Sequence, residues 1–323
     1  MGRNPRAFAE KYKEHAGDPE TVAKVLAAGK TPAGMHRPVL VDEVLASLNP
    51  RPGDRIVDGT LGHGGHASAI LVRLQPGGVL LGLDQDPLQF PITEQRLRDE
   101  GFGEEAFLAR RSNFAGLPRL LGELGWNGAD GILLDLGVSS MQIDNPERGF
   151  SYKHDGPLDM RMNPRRGETA AAWLEKVTPE KLEAVLVQNS DEPHAAKLAA
   201  ALAGRRFGGC VELVTAIRSI VPERDADDTL PRVFQALRIQ VNDEFVALDT
   251  ILRELPNCLN PGGRVVIITF HSGEDRRVKQ AFAFGRKAGI YADISPVPLR
   301  AAPEEVRQNP RASSAKLRWA RLA

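Results

Sequence analysis

A parallel α/β sheet that carries an inserted all-helical segment is the fold class that this sequence predicts. Four short runs have the length and apolar character of buried strands, and helical stretches separate them along the chain. These runs are 55–58, 78–84, 129–135 and 263–270. Apolar strands that alternate with helices form parallel sheets with helices on both faces. The first three runs each end in an aspartate, which directs attention to one edge of the predicted sheet.

A helix over residues 41–48 is predicted to lead into the sheet. Its apolar residues recur at helical spacing, at Val41, Val44, Leu45 and Leu48. Asn49-Pro50 and Pro52-Gly53 then end the helix before the first strand.

The chain changes character between the third and fourth strands. From about Pro164 to Val221 it is rich in Ala, Leu and charged residues, with helical periodicity and no convincing strand, so we interpret it as a helical insertion. One further helix is predicted over 233–255, where apolar residues recur every three to four positions. The domain prediction is an N-terminal extension (1–35), a sheet domain (36–145 with 230–323) and a mainly helical inserted domain (146–229).

The composition excludes several classes of protein. A hydrophobic content of 42% with 26% charged residues is typical of a globular protein, neither disordered nor membrane-spanning. The 42 basic residues balance 42 acidic ones, so a nucleic-acid partner would need a local basic surface. Cys210 and Cys258 form no CxxC spacing, and the start of the chain lacks an apolar stretch of signal-peptide length. We therefore expect a cytoplasmic protein with no membrane partner.

A turn with four glycines in residues 59–65 follows the first predicted strand, and three ligand classes compete for it. A nucleoside triphosphate loop needs Lys and Ser/Thr after the last glycine, where this chain has His66 and Ala67. The dinucleotide fingerprint G-x-G-x-x-G/A is formally met, but it is short enough to arise by chance. The third class is S-adenosylmethionine, whose sites place an acid at the end of the first strand, here Asp58, before a glycine-rich turn.

Two later features bear on the choice between a dinucleotide and S-adenosylmethionine. Asp84 ends the second strand and can accept the ribose hydroxyls of either ligand. The segment 259–263, LNPGG, precedes the last predicted strand and favours a methyltransferase over an oxidoreductase.

The third acidic strand end, Asp135, is the candidate for chemistry. Enzymes that methylate exocyclic amines commonly have D/N/S-P-P-Y/F here, whereas this chain has DLGVSS, which keeps the hydrogen-bond acceptors, including Ser139, but lacks the aromatic residue. We expect Asp135 to orient the amine and accept its proton; the alternative is an acid that caps the turn. His271 follows the last strand, where a substrate contact is weighed against a helix N-cap by Ser272. His63 and His66 lack a third ligand at a recognisable spacing, so no metal site is predicted.

Seven segments of the chain together resemble the bacterial ribosomal RNA small subunit methyltransferase H family, also called MraW. The segments are HRPVLVDEVL, VDGTLGHGGHA, LDQDP, DGILLDLGVSSMQIDNPERGFSYKHDGPLDMRMNP, FQALRIQVNDE, PGGRVVIITFHSGEDRRVK and NPRASSAKLR. The resemblance covers about residue 36 to the C-terminus. It implies a Rossmann-like class I S-adenosylmethionine-dependent methyltransferase fold and methylation of a cytosine N4 in the decoding region of 16S ribosomal RNA, within the small ribosomal subunit.

The resemblance also implies particular cofactor contacts. The residues that match the family's pattern are Gly64, Gly65, His66, Asp84, Phe114, Asp135 and Gln142. Of these, the glycine turn, Asp84 and Asp135 are also indicated by the residues themselves, whereas Phe114 and Gln142 come from the resemblance alone.

The chain departs from the family's usual pattern in three places. It has NSDE at 189–192 where the family usually has YGEE, SGED at 272–275 in place of SLED, and no His-Pro-Ala before FQALR. The alternatives are therefore a non-catalytic RNA-binding or ribosome-assembly protein that retains the cofactor pocket, or a methyltransferase with a diverged RNA target.

Arginines are the candidates for holding the RNA backbone while the target base leaves its stack. The predicted contacts are Arg148, Arg161, Arg205, Arg206 and Arg276. Two neighbouring arginines are more often simply exposed to solvent. Only the predicted arginines taken together with a basic C-terminal tail indicate an RNA surface. The sequence leaves a homodimer open.

Overall fold

The computed structural model describes residues 38–323, so the predicted extension over 1–35 lies outside the described residues. Within the described part, seven strands form one sheet in the order β3-β2-β1-β4-β5-β7-β6. The strands are β1 (Arg55–Asp58), β2 (Val79–Asp84), β3 (Phe107–Arg111), β4 (Ala129–Asp135), β5 (Leu259–Thr269), β6 (Tyr291–Ile294) and β7 (Lys316–Leu322). The predicted α/β fold class, with a mostly parallel sheet, is confirmed.

Six strands run in one direction, and β7 runs in the opposite direction. β1 pairs in parallel with β2 and β4, β2 with β3, and β4 with β5, whereas β7 runs antiparallel between β5 and β6. The carboxyl ends of β1, β2 and β4 therefore meet at one edge of the sheet, where parallel α/β proteins bind ligands. Asp58, Asp84 and Asp135 end these three strands.

The helices of the described part are numbered in chain order. They are α1 (Val41–Leu48), α2 (Gly65–Leu74), α3 (Phe90–Asp99), α4 (Leu117–Glu123), α5 (Ser140–Asp144), α6 (Ala170–Lys176), α7 (Pro179–Ser190), α8 (Ala195–Leu202), α9 (Cys210–Ile220), α10 (Glu223–Val241), α11 (Glu244–Cys258), α12 (Ser272–Lys287) and α13 (Pro303–Gln308). The helix predicted over 41–48 is confirmed as α1, and the segment 164–221 contains helices and no strand, as predicted. None of the helices in the described range is long and apolar enough to cross a membrane.

The described chain divides into two compact units, 38–137 with 246–323 (the sheet unit) and 138–245 (the helical unit). In the sheet unit, neighbouring residues of a central strand enter different cores, because successive side chains point to opposite faces. Ile56 and Leu133 belong to one apolar cluster, whereas Val57 and Leu134 belong to the other. The helical unit has its own core, built from α6 to α10. It extends beyond the predicted insertion, 146–229, at both ends.

The prediction of one continuous helix over 233–255 is wrong. α10 ends at Val241 and α11 begins at Glu244. Asp243 has a positive φ of 50°, which a helix cannot contain. The Asn242 side chain stabilises the break by donating to the carbonyl oxygens of Arg238 and Met160, at 2.9 and 2.7 Å.

Candidate active site

The glycine turn after β1 is fastened to both neighbouring strands. The Gly59 N–H donates to the Leu133 carbonyl on β4 (2.9 Å), and the Leu61 N–H donates to the Leu83 carbonyl on β2 (2.7 Å). A Cβ on Gly59 would lie 2.4 Å from Cδ2 of Leu134, so a larger residue there requires the Leu134 side chain to shift. The turn therefore has one fixed path across the carboxyl end of the sheet.

Gly64 is the residue of the turn with the strictest requirement for glycine. It is the N-cap of α2 with φ 76°, and an added Cβ would lie 2.8 Å from both Arg96 Nη2 and Thr93 Cγ2. These two residues of α3 bind the turn directly: Arg96 Nη2 donates to the His63 carbonyl and Thr93 Oγ1 to the Gly62 carbonyl, each at 2.6 Å. Helix α3 thus supports the turn from behind. His66 lies in the first turn of α2.

Asp84 is held in place by the backbone. Its two carboxylate oxygens accept from the N–H groups of Gly62 (2.7 Å) and Asp86 (2.8 Å). Burial raises the pKa of this carboxyl, although the two N–H donors oppose the rise. Each carboxylate oxygen can accept a second hydrogen bond, so Asp84 can still bind ribose hydroxyls. Phe114 lies beside the turn, since its Cβ is 3.2 Å from the position that a Gly59 Cβ would take.

Asp135, at the end of β4, is joined to the end of β1 through Thr60. The Asp135 N–H donates to Thr60 Oγ1 at 2.6 Å, and the Thr60 N–H donates to Asp58 Oδ1 at 3.1 Å. Asp58 is only 1% exposed, which places it beneath the turn rather than on its surface. The backbone position of Asp135 is thereby fixed by the neighbouring strand end.

The Asp135 side chain combines partial exposure with one buried, unbonded oxygen. It is 26% exposed, and Oδ2 lies 3.6 Å from Nδ1 of His66. Oδ1 is buried and has no hydrogen-bond partner among residues 38–323. Burial, with a smaller contribution from the nearby Glu274 carboxylate, raises the pKa of Asp135 to about 7. An acid with this pKa is suited to exchanging a proton near neutral pH.

His66 is buried against the N-terminal segment of the described chain. Its Nε2 lies 2.8 Å from the Val39 carbonyl, and its side chain is 6% exposed. Burial lowers the pKa of His66, although the carboxyls of Asp58 and Glu305 and the Val39 carbonyl favour the charged form. Burial also raises the pKa of Asp58 to about 6, against the effect of His66.

The N-cap of α12 is His271 and not Ser272, which corrects one of the two alternatives weighed for this segment. The His271 side chain accepts from the Glu274 N–H at 3.4 Å, and the Glu274 carboxylate accepts from the N–H groups of Phe270 (2.8 Å) and His271 (3.4 Å). A substrate contact by His271 stays a prediction.

Sequence reasoning missed Glu274, a 3% exposed acid close to Asp135. The spacing H-x-x-E, which is that of a capping box, was the available signal.

Ser139 and Gln142 lie in the helical unit, at the start of α5. Ser139 Oγ accepts from the Gln142 N–H at 3.3 Å, and the Gln142 Oε1 accepts from the Ser139 N–H at 2.9 Å. This reciprocal pair is a capping box, which satisfies two backbone donors of a short helix. The structure therefore shows a structural role for both residues, and their predicted roles at the site stay predictions.

Two of the five predicted RNA-binding arginines are engaged within the fold. Arg148 is 9% exposed and donates to the carbonyls of Arg161 and Met162 at 3.0 and 2.9 Å. Arg161 forms a bidentate pair with Asp159, at 2.8 and 2.7 Å, and its side chain is 20% exposed. Burial against carbonyl groups gives Arg148 a structural role, and its predicted RNA contact stays a prediction.

The other three predicted arginines are exposed. Arg205 and Arg206 follow α8, and the Arg205 guanidinium lies 5.1 Å from the centre of the Phe207 ring. Arg276 lies on α12. In the basic tail, by contrast, Arg318 is 6% exposed and pairs with Asp275 at 2.7 Å, which removes it from the surface.

The fold and this site define a class of protein. Three acidic strand ends around a glycine turn, on a sheet with the order 3-2-1-4-5-7-6, are those of a Rossmann-like methyltransferase. The chain belongs to the MraW methylase family, whose model matches residues 33–323.

Relatives with curated names cover nearly the whole chain. "Ribosomal RNA small subunit methyltransferase H 1" of Agathobacter rectalis is 45% identical over 99% of this chain and 95% of the relative. The protein of the same name from Lachnoclostridium phytofermentans is 43% identical over 99% and 90%. "Ribosomal RNA small subunit methyltransferase H" of Halorhodospira halophila is 44% identical over 89% and 94%. Among solved structures, a methyltransferase homologue from Pyrococcus horikoshii aligns over 99% of this chain and 73% of that chain, with a TM-score of 0.46 and 13% identity.

Proposed function

We propose that this protein is an enzyme that transfers a methyl group from S-adenosylmethionine to N4 of a cytosine in 16S ribosomal RNA, acting on the small ribosomal subunit in the cytoplasm. Family membership and the names of its relatives support the reaction class and the RNA. The observation that carries the proposal is Asp135, a strand-end acid whose buried Oδ1 has no partner within the described residues and whose pKa is raised to about 7.

The residues of the sheet unit fit S-adenosylmethionine. Gly64 approaches α3 so closely that a Cβ has no room, and Gly62 and Gly65 in the same turn are partly exposed. We expect Gly64, Gly65 and His66 to contact the cofactor, Asp84 to bind its ribose and Phe114 to lie near its adenine. When bound, the cofactor supplies an electrophilic methyl group on a sulfonium.

Asp135 is expected to orient the amine that receives the methyl group. The lone pair of a cytosine N4 is delocalised into the ring, and a carboxyl oxygen that accepts an N4–H would hold the group in line for attack. Because the sulfonium methyl is already electrophilic, positioning matters more here than a strong base. A pKa near 7 still allows Asp135 to take part in removing the proton after transfer.

RNA recognition is assigned to the predicted inserted domain, 146–229, together with exposed cations. Arg205, Arg206 and Arg276 are the exposed members of the predicted set. A base can reach a strand-end pocket only after it leaves its stack, so the phosphates on either side need cationic partners. Binding should accordingly weaken steeply as salt is added.

The direct test is transfer of radiolabelled methyl from S-adenosylmethionine to small ribosomal subunits that lack this modification, with large subunits as the control. We expect label in the small-subunit RNA and none in the large-subunit RNA. Binding of S-adenosylmethionine without transfer to either subunit would contradict the proposal and indicate a non-catalytic RNA-binding role.

A further inference from the structure

The pair formed by His66 and Asp135 has a defined proton arrangement. A carbonyl oxygen can only accept, so the 2.8 Å contact with Val39 requires the proton of a neutral His66 ring on Nε2. Nδ1 then presents a lone pair toward Asp135 Oδ2, which is 3.6 Å away. Two lone pairs at this separation repel each other unless a proton lies between them.

The surroundings of the pair favour one shared proton. Burial disfavours the charged form of each partner, lowering the pKa of His66 and raising that of Asp135 to about 7. Glu274 adds to the rise at Asp135, while Asp58 and Glu305 face His66 and favour its protonated form. Near neutral pH the shared proton therefore belongs on Asp135 Oδ2, pointing at Nδ1.

The other oxygen of Asp135 faces no protein partner. Oδ1 is buried without a hydrogen bond within the described residues, although the side chain as a whole is 26% exposed. A buried acceptor left without a partner costs free energy, so it is expected to be satisfied by a bound ligand. The carboxyl group thus has one oxygen that faces histidine and one buried oxygen without a hydrogen-bond partner among residues 38–323.

We propose that His66 is a positioning residue that acts through Asp135 and finally holds the proton released by the target amine. This inference rests on the proposed function and deepens it. The N4–H donates to Asp135 Oδ1 before transfer. After transfer, a proton passes from N4 to Oδ1 while the proton on Oδ2 passes to His66 Nδ1.

The step balances in charge and protons. The N4 lone pair forms the new N–C bond, the S–CH3 bond breaks with its electron pair left on sulfur, and the positive charge moves to N4. Asp135 gains one proton at Oδ1 and loses one at Oδ2, so it stays neutral. His66 gains the proton and the positive charge, which the Asp58 and Glu305 carboxyls favour.

This arrangement explains why the strand end of β1 contains a buried acid. Asp58 fixes Thr60, Thr60 fixes the backbone of Asp135, and the Asp58 carboxylate also favours charge on His66. A carboxylate with this burial is costly unless it has partners, and two of its interactions here serve the proposed relay.

The first experiment tests the proton arrangement without cofactor or RNA. The full chain would be labelled with ¹⁵N-histidine, and the His66 signals would be assigned by their loss in His66→Asn. We expect a neutral Nε2–H ring between pH 6.5 and 8, with an Nδ1 signal that moves in Asp135→Asn. An Nδ1–H ring, or a ring that titrates at the ordinary pKa of about 6.5 and ignores Asp135→Asn, would overturn the proposal.

The second experiment measures single-turnover methyl transfer on small ribosomal subunits at saturating cofactor. His66→Gln should lower the rate by about 10- to 100-fold at a cofactor concentration that also saturates the variant, so that a change in cofactor Kd does not enter the measured rate. The wild-type rate should fall at a pH below the ordinary titration range of histidine, because burial lowers the pKa of His66 and a second proton occupies its ring only there; this fall should disappear in the variant. An unchanged pH profile, or a loss of rate that saturating cofactor restores, would overturn the relay. Failure of the proposed function is distinct, because wild type would then transfer no methyl at all.

Discussion

Asp135 in the sheet unit and Glu192 in the helical unit are both carboxylates with one buried oxygen that has no hydrogen-bond partner within the described chain. Their surroundings differ. Glu192 is 3% exposed, and its Oε1 accepts from the His194 N–H (2.9 Å) and Thr229 Oγ1 (3.3 Å), which joins the start of α8 to α10. Asp135 is 26% exposed and faces a buried histidine. We infer that Glu192 stabilises its unit, whereas Asp135 serves chemistry.

The same contrast applies to cations. Arg148 and Arg205 belong to one predicted RNA-binding set, yet Arg148 supports backbone carbonyls and Arg205 is exposed. The type of a residue therefore indicates which chemistry its side chain can perform. The burial of that side chain decides whether it can reach a ligand. Four predictions test this comparison, beginning with the largest expected effect.

Asp135→Asn should lower the single-turnover rate of methyl transfer by about 100-fold or more, because the amide cannot accept the amine proton. The cofactor Kd, measured by calorimetry, should change less than about threefold. Glu104→Gln, at an exposed acid far along the chain from the strand ends, is the matched control and should leave both values unchanged. An unaltered rate in Asp135→Asn would show that this acid only caps the turn.

Gly64→Ala should raise the cofactor Kd by about 10- to 100-fold, the equivalent of about 1–3 kcal/mol of backbone strain. Its φ of 76° and the 2.8 Å contacts with α3 require the turn to shift. Gly77→Ala is the control, because Gly77 has a similar φ of 84° and nothing within 4 Å of an added Cβ. Equal losses of cofactor affinity in the two variants would show that the turn does not shape the site.

Glu192→Ala should lower the free energy of unfolding by about 1–3 kcal/mol, since it leaves the His194 N–H and Thr229 hydroxyl without their acceptor. Cofactor affinity should not change. Urea unfolding followed by circular dichroism measures the first quantity, with Glu183→Ala at an exposed position of α7 as control. A loss of methyl transfer without a loss of stability would place Glu192 in function instead.

Replacing Arg205 and Arg206 together by Ala should weaken RNA binding a few-fold and reduce the slope of log K against log salt by about 2 at most. Stability should be unaffected, since both side chains are exposed. Arg148→Ala, by contrast, should destabilise the helical unit, because two carbonyls lose a charged donor. Filter binding over a salt series, together with urea unfolding, separates the two outcomes. An unchanged salt slope in the double variant would remove these arginines from the RNA surface.

The strand ends could be predicted because local sequence determines them. Each of the first three apolar runs ends in an acid, and parallel strands bring those ends to one edge, so Asp58, Asp84 and Asp135 followed from pattern alone. Glu274 could not be assigned to this neighbourhood, because β5 and α12 come more than 120 residues after β4 and only the sheet brings them close. The break at Asp243 was missed since the apolar spacing continues across it.

Nucleoside analysis of the labelled RNA tests the central claim most directly. Small-subunit RNA methylated by the wild-type chain would be digested and its labelled nucleoside identified by chromatography and mass spectrometry. The account predicts label in N4-methylcytidine, formed about 100-fold or more slowly with Asp135→Asn. Label in a different nucleoside, or in N4-methylcytidine with Asp135→Asn at the wild-type rate, would contradict it.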